Sequence, residues 1–191
     1  MSKQIQDFDG NVKRERTRAL VRTKLHMNIK THTGLITHLN DDEVFVFGAN
    51  LDGFHGAGSA GYASFGEAGN VWRKHNYGSW PIGQKGKWNV KGKTGPMQGT
   101  EGKSYGLPTV TRCGAKRSLE INFKPLFECC ARNPQWTFLF AQEGKMGLNG
   151  WTPEEMAAFA DKAGEWPTNL IPSESFAPYI SRRECVKTGK G

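Results

Sequence analysis

The chain contains no apolar run that approaches the length of a membrane span, and we do not expect a secretory signal at its charged start. It has only four cysteines, and their spacing fits no paired metal-ligand motif: Cys113, Cys129, Cys130 and Cys185. Three evenly spaced histidines, His26, His32 and His38, match no zinc pattern and are interpreted as surface or hydrogen-bonded side chains. We therefore expect reduced thiols in the cytoplasm, no membrane partner, and neither a metal nor a cofactor.

Acidic residues are also few, since 18 Asp and Glu stand against 26 Lys and Arg and give a net charge of +8. The excess is uneven, because residues 1–30 alone carry eight basic and three acidic side chains. A second basic zone runs from Lys85 to Lys103. Clusters of this kind are typical of proteins that contact nucleic-acid phosphates, and also of solvated surfaces. The sequence leaves both interpretations open.

The hydrophobic fraction is low, at 37%, although 11% of the residues are aromatic. A length of 191 residues fits one domain with additional arms. We predict a basic N-terminal arm at 1–30, a folded domain at 31–180 and a basic tail at 181–191. Residues 76–103 are rich in glycine and lysine, which predicts a long loop or lid. Trp80 and Trp88 in this insertion either stack on a nucleic-acid base or pin the loop to the core.

The stretch from Glu43 to Ala63 gives the clearest local signal. Val44–Phe47 is a short apolar run rich in β-branched and aromatic residues, which predicts a buried strand. A glycine-dense loop follows, and we expect a helix to begin near Ser59 and to continue to His75. The glycines of this stretch are Gly48, Gly53, Gly56, Gly58 and Gly61. A strand, a glycine loop and a helix start in this order are typical of anion sites, because free N–H groups there reach a phosphate.

Two further elements are predicted in the middle of the chain. Residues Ser104–Thr111 indicate a strand, and Pro108 within it indicates an edge position or a strand end. A helical segment begins at Ser118, its predicted cap, and ends near Asn133. We expect its apolar residues to face the core.

The last part of the chain repeats the order of strand, glycine loop and helix. Trp136–Ala141 predicts a second buried strand, and a glycine loop at Gln142–Gly150 follows it. Thr152 as a cap and Pro153 in the first turn then mark a helix start. We expect the proline-rich segment 164–178 to wrap the surface. The alternation of strands and helices predicts an α/β fold.

The two glycine loops each follow a buried strand, and ligands of open α/β sheets bind at the carboxyl ends of strands. Two such loops side by side would hold a diphosphate between them. The string from Gly56 to Gly61 also satisfies the GxGxxG dinucleotide motif. We reject that match, because in a Rossmann unit the first glycine lies at the strand end, whereas here Ala49 to His55 intervene. No acidic residue closes a second strand at the required distance.

The segment from Asn50 to Ala60 resembles the first ligand loop of macro domains, in which an asparagine after a buried strand precedes a glycine run and a helix start. Asn50, Gly56 and Gly58 fall on matching positions. The segment Gly144–Gly147 is similar to the phosphate loop of the same family. Together the segments also resemble small phage-like and bacterial proteins related to macro domains. The resemblance covers roughly residues 43–163 and implies a three-layer α/β/α fold with a central mixed sheet.

The resemblance implies a ligand of the ADP-ribose type. Asn50 would face the distal ribose, the backbone of Gly56–Ser59 would hold one side of the diphosphate, and Gly144–Gly147 would hold the other. The ligand-binding residues that it implies are Gly48, Ala49, Asn50, Gly56, Ala57, Gly58, Ser59, Gly144, Lys145, Met146 and Gly147.

Three functions follow as alternatives. In the first, the protein binds ADP-ribose or a related nucleotide and hydrolyses an ADP-ribose linkage, as macro-domain hydrolases do. Several of those hydrolases carry an acid where this chain has Ala60, and the catalytic candidates left are Asn50, Asp52, His55 and Glu143. In the second, a non-catalytic binder sequesters or senses a nucleotide signal, for example as a phage counter-defence protein in the host cytoplasm. In the third, the basic arm and the Trp/Lys loop bind nucleic acid.

Overall fold

A five-stranded mixed sheet forms the centre of the protein in a computed structural model that describes residues 29–67, 69, 71–111, 120–141 and 148–180. The strands are β1 (Glu43–Asn50), β2 (Gly95–Gln98), β3 (Lys103–Val110), β4 (Thr137–Phe140) and β5 (Leu170–Pro172). Their order is β2-β3-β1-β4-β5; β2 runs antiparallel to β3, and the other neighbouring pairs are parallel. The helices are α1 (Gly58–Phe65), α2 (Lys124–Arg132) and α3 (Pro153–Ala163).

The central strand β1 explains the layers of the fold, because successive side chains of a strand point to opposite faces. Val44 and Val46 lie in the core cluster that contains residues of α2 and α3. Phe45 and Phe47 lie in the other cluster, with Ala60 and further residues of α1. The sheet is therefore covered by helices on both faces. The predicted α/β class, with a mixed sheet in a three-layer α/β/α arrangement, is confirmed.

The first helix is shorter than the sequence predicts. It ends at Phe65 because Gly66 adopts φ +70° and caps it, with the Gly66 N–H donating to the carbonyl of Tyr62. The predicted continuation to His75 is wrong. The chain instead turns back, and the amides of Val71 and Trp72 both donate to the carbonyl of Gly56.

The insertion at 76–103 is more ordered than a loop or lid. It contains a 3₁₀ turn (Tyr77–Ser79) and strand β2, which pairs with β3. Trp88 is only 1% exposed, and its ring lies 5.0 Å from that of Phe45. Of the two alternatives for Trp88, the structure therefore supports the one in which the ring pins the insertion to the core.

The strand that contains Pro108 is internal, since β3 lies between β2 and β1. Its pairing with β2 involves Lys103–Gly106 and stops before Pro108, so the proline costs no ladder hydrogen bond on that side. Neither predicted position is correct as stated, because β3 is an internal strand that continues to Val110; Pro108 lies where only the β1 side of the strand is paired. The predicted helix cap at Ser118 lies outside the described residues, and the described helix α2 begins at Lys124.

The last helix has the predicted start. The Thr152 hydroxyl accepts the amide of Glu155, and the Glu155 carboxylate accepts the amide of Thr152, which together form a capping box. The proline-rich segment after it does not simply wrap the surface. Its residues Leu170–Pro172 form β5, and Phe176 is fully buried.

Two of the three evenly spaced histidines lie in the described part of the chain. The Nε2 atom of His32 donates to the carbonyl of Phe140 at 3.0 Å, and His38 is exposed. Neither residue joins a possible metal site, because no group of three or more His, Cys, Asp or Glu side chains within the described ranges could hold a metal ion. Among the same residues, no helix is both long and apolar enough to span a membrane.

Candidate functional site

The carboxyl ends of β1, β3 and β4 lie at one edge of the sheet because the three strands are parallel neighbours. Asn50 ends β1 and Val110 ends β3, and the amide of Leu51 donates to the carbonyl of Val110 at 3.1 Å. Open α/β sheets bind their ligands at this edge. We call it the carboxyl edge and take it as the candidate site.

The side chain of Asn50 shapes the loop that follows it. Its Oδ1 atom accepts hydrogen bonds from the amides of Asp52 at 3.1 Å and Phe54 at 2.8 Å. The side-chain nitrogen of Asn50 has no acceptor among the described residues, and the residue is partly exposed. Asn50 therefore combines a structural acceptor with two N–H donors that remain for a ligand.

Three of the loop glycines are required by packing within the protein. A Cβ atom on Gly53, which has φ +68°, would lie 2.2 Å from the amide nitrogen of Lys93. A Cβ atom on Gly56 would lie 2.7 Å from the Cβ of Trp72, and one on Gly61 would lie 3.0 Å from Val71. These close contacts account for glycine at all three positions without a ligand.

Gly58 differs from those glycines. It has φ +56°, and a Cβ atom built on it would have no atom of the described residues within 4 Å. The space above it is open, at the first residue of α1. Among the glycines of the first loop, Gly58 is therefore the one whose surroundings leave room for a bound group.

At the start of α1, two backbone amides have no acceptor among the described residues. Ala57 precedes the helix in an extended conformation and contributes no side-chain cap. The amide of Gly58 donates to the carbonyl of Gly69 at 3.0 Å, whereas the amides of Ser59 and Ala60 have no acceptor among the described residues. Free N–H groups at a helix start favour an anion because they donate hydrogen bonds at the positive end of the helix dipole.

A hydrogen-bond network that the sequence did not reveal lies at the carboxyl edge. The Thr109 hydroxyl donates to the carbonyl of Ala49 at 3.2 Å and accepts from the side-chain nitrogen of Asn149. The indole nitrogen of Trp151 donates to the carbonyl of Thr109. This network fixes the 3₁₀ turn Leu148–Gly150 against the ends of β1 and β3. Hydrogen bonds between residues so far apart in the chain leave no local sequence signal.

The predicted second loop joins β4 to that turn, but its candidate residues lie outside the described residues: Glu143, Gly144, Lys145, Met146 and Gly147. Its described neighbour on one side, Ala141, donates its amide to the carbonyl of Val46 at 2.9 Å. On the other side lies the 3₁₀ turn Leu148–Gly150, in which Asn149 donates to the Thr109 hydroxyl. Both ends of the loop are thus attached to the strands that form the carboxyl edge.

His55, a catalytic candidate, is a residue of the glycine loop. Its side chain is fully buried, and its Nε2 atom donates to the carbonyl of Lys93 at 2.9 Å. Burial lowers the pKa of His55 from 6.5 to about 4, so the ring is neutral at pH 7. A general acid or base has to reach its substrate, whereas this ring packs edge-on against Phe47. The geometry gives His55 a role in holding the loop in place.

The remaining predicted residues are divided between strand and loop. Gly48 and Ala49 are buried within β1, so only their backbone is near the edge. Asp52 is exposed in the loop, and Ala60 is buried at the start of α1. Asn50 and the start of α1 therefore lie at the two ends of one loop, and the Asn50 side-chain nitrogen and the amides of Ser59 and Ala60 have no acceptor among the described residues. A comparison of the chain with protein-family models, curated proteins and solved structures returns no match.

Proposed function

We propose that this protein binds ADP-ribose or a related nucleotide at the carboxyl edge of its sheet. The observation that carries the proposal is the arrangement of donors around one loop. The side-chain N–H groups of Asn50 lie at the start of the loop and the amides of Ser59 and Ala60 lie at its end, and none of these donors has an acceptor among the described residues. A nucleotide that carries both a ribose and a diphosphate offers acceptors for both groups of donors.

The residue roles follow from this arrangement. Asn50 donates to a ribose hydroxyl, and the start of α1 receives one side of the diphosphate. The open space above Gly58 admits the phosphate oxygens. The segment Gly144–Gly147 receives the other side of the diphosphate, a role that rests on the family resemblance alone.

Binding without turnover is the activity that we propose. The position at which several hydrolases of the resembled family carry an acid is occupied here by Ala60, which is buried and has no ionisable group. His55 is neutral and shielded from solvent. A protein of this kind would sequester or sense a nucleotide. Release of product from ADP-ribose 1″-phosphate or from an ADP-ribosylated protein would contradict this part of the proposal.

Isothermal titration calorimetry with ADP-ribose tests the site through a matched pair of glycine variants. Gly58→Ala places a methyl group in the space assigned to the diphosphate, and we expect affinity to fall at least about 10-fold. Gly34→Ala is the control, because Gly34 also has a positive φ, +67°, with no atom within 4 Å of an added Cβ. Both variants carry similar backbone strain. An equal effect of the two substitutions, or none, would reject the diphosphate assignment.

A further inference from the structure

A second concave surface lies at the opposite end of α1 from the carboxyl edge. It has a volume of about 760 Å³ and is shallow, with most of its boundary open to solvent. The end of α1 at Phe65, the turn that contains Trp80 and the segment Gln84–Lys87 line it. We call it the α1 groove. Its volume lies within the range of about 300–1,000 Å³ typical of ligand pockets.

Aromatic rings form one wall of the α1 groove. The rings of Phe65 and His75 are stacked, with centroids 4.2 Å apart and an angle of 8° between their planes. The ring of Trp80 lies 5.3 Å from that of Phe65 and is partly exposed. Unlike Trp88, Trp80 is therefore available to contact a flat ring from solvent.

The turn that contains Trp80 is held in place by a buried lysine. Lys91 is buried, and its ammonium group donates to the carbonyl of Tyr77 at 2.6 Å and to that of Trp80. Asn76, at the start of the turn, has a positive φ of 49°. A buried lysine that satisfies two carbonyls fixes the backbone of the turn, and the neighbouring rings of Phe65 and Tyr77 hold the Trp80 ring before any ligand arrives.

Two lysines supply positive charge beside these rings. Lys85 is exposed and has no acidic partner among the described residues. The Lys87 ammonium lies 3.7 Å from the Glu101 carboxylate, whose side chain is 64% exposed. The Lys87 side chain is itself only 22% exposed, and its ammonium also lies 5.0 Å from the centroid of the Trp88 ring. Lys85 is therefore open to a phosphate group, whereas Lys87 contacts one by exchanging Glu101 for it.

We propose that the α1 groove binds single-stranded nucleic acid, with one base stacked on Trp80 and the adjacent backbone phosphates contacted by Lys85 and Lys87. An aromatic wall beside lysines is the arrangement by which single strands are bound without regard to sequence. A duplex does not fit this description, because its bases are already stacked and paired. This activity is separate from the nucleotide site at the carboxyl edge.

Fluorescence anisotropy of the full chain with a labelled oligothymidylate tests the proposal. The double variant Lys85→Gln/Lys87→Gln is expected to bind at least about 10-fold more weakly, with a salt slope shallower by about 1.4 for two lost phosphate contacts. The charge-matched control Lys124→Gln/Lys162→Gln changes two exposed lysines on α2 and α3, and we expect less than a twofold effect. Equal loss in both double variants would overturn the assignment.

The stacking contact has its own test. Trp80→Ala is expected to weaken binding about 10-fold, and Trp80→Phe to retain most of the affinity because a phenyl ring still stacks. Circular dichroism identifies any variant that has lost its fold. If Trp80→Ala has lost it, the affinity of the Trp80→Phe variant tests the stacking contact instead. Affinity unchanged in Trp80→Ala would contradict the proposal. So would thymidine monophosphate binding as tightly as the oligomer, since the groove would then take a free nucleotide.

Discussion

The Nε2 atom of His55 donates a hydrogen bond to the carbonyl of Lys93 at 2.9 Å, and this contact joins the glycine loop after β1 to the segment before β2. The main chain joins the same two segments, because the amide of Gly92 donates to the carbonyl of Gly53 at 3.1 Å. The loop at the candidate site is therefore supported by the insertion at 76–103, and its stability depends on a buried neutral imidazole.

Stability is expected to fall in mild acid because of His55. Burial lowers its pKa from 6.5 to about 4, so the unfolded chain binds more protons than the folded chain between those values. The stabilisation is complete above pH 6.5 and is lost as pH falls towards 4; at pH 4.5 the loss is about 2–3 kcal/mol.

Urea unfolding at pH 7 and at pH 4.5 measures this effect. The variant His55→Gln lacks the titrating group, and its free energy of unfolding should depend less steeply on pH than that of the unmodified protein. His38→Gln, at an exposed histidine, is the control and should keep the original dependence. If the His55→Gln variant kept the same pH dependence of its free energy of unfolding, the assignment of that dependence to His55 would be wrong.

Cys129 and Cys130 should not react in the folded protein. Both are buried in α2, and burial raises the pKa of both thiols, that of Cys130 to about 12. The reactive thiolate is therefore scarce at neutral pH. In the variant Cys113→Ser/Cys185→Ser, a colorimetric thiol reagent should detect almost no thiol under native conditions and both thiols in denaturant. Rapid reaction of the native variant would show that α2 does not shield them.

Asn50 should contribute to stability through its oxygen. Asn50→Ala removes the acceptor for the amides of Asp52 and Phe54 and should lower the free energy of unfolding by about 1–2 kcal/mol. Asn50→Asp keeps an oxygen at that position and should unfold at nearly the same denaturant concentration as the unmodified protein. Equal destabilisation by both substitutions would contradict the loop-capping role.

The capping box of α3 gives an independent test of the fold. Thr152→Ala removes the hydroxyl that accepts the Glu155 amide and should cost about 1 kcal/mol in chemical unfolding. Thr168→Ala, at an exposed threonine outside the helices, is the matched control and should be close to neutral. A Thr152→Ala variant as stable as the control would place the start of α3 elsewhere.

Sequence patterns over a few residues predicted the strands and helices that depend on neighbouring residues in the chain. The apolar run Val44–Phe47 and the capping residues Thr152 and Pro153 each act within a few positions of the chain, and the structure contains the strand and the helix that they indicate. The early end of α1 also has a local cause, the conformation of Gly66. Gly66 and Gly69 interrupt the helical pattern in the sequence, but an isolated glycine within such a pattern is often tolerated and does not by itself mark the end of a helix.

Contacts between distant residues could not be predicted in this way. The burial of Trp88 depends on Phe45, and the burial of His55 depends on the carbonyl of Lys93. The network of Thr109 and Asn149 joins residues 40 positions apart. Such contacts arise from packing, so the sequence predicted a glycine-rich loop after β1 but not which of its glycines are in close contact with other parts of the protein.

The central claim, that the carboxyl edge binds an ADP-ribose-type nucleotide through Asn50, is tested most directly by calorimetry on the Asn50→Asp variant. This substitution keeps the acceptor that holds the loop but replaces the two N–H donors with a negative charge. We predict that the unmodified protein binds ADP-ribose and that Asn50→Asp, equally stable, binds at least about 10-fold more weakly. Equal affinity of the two proteins, or no heat with the unmodified protein, would contradict the claim.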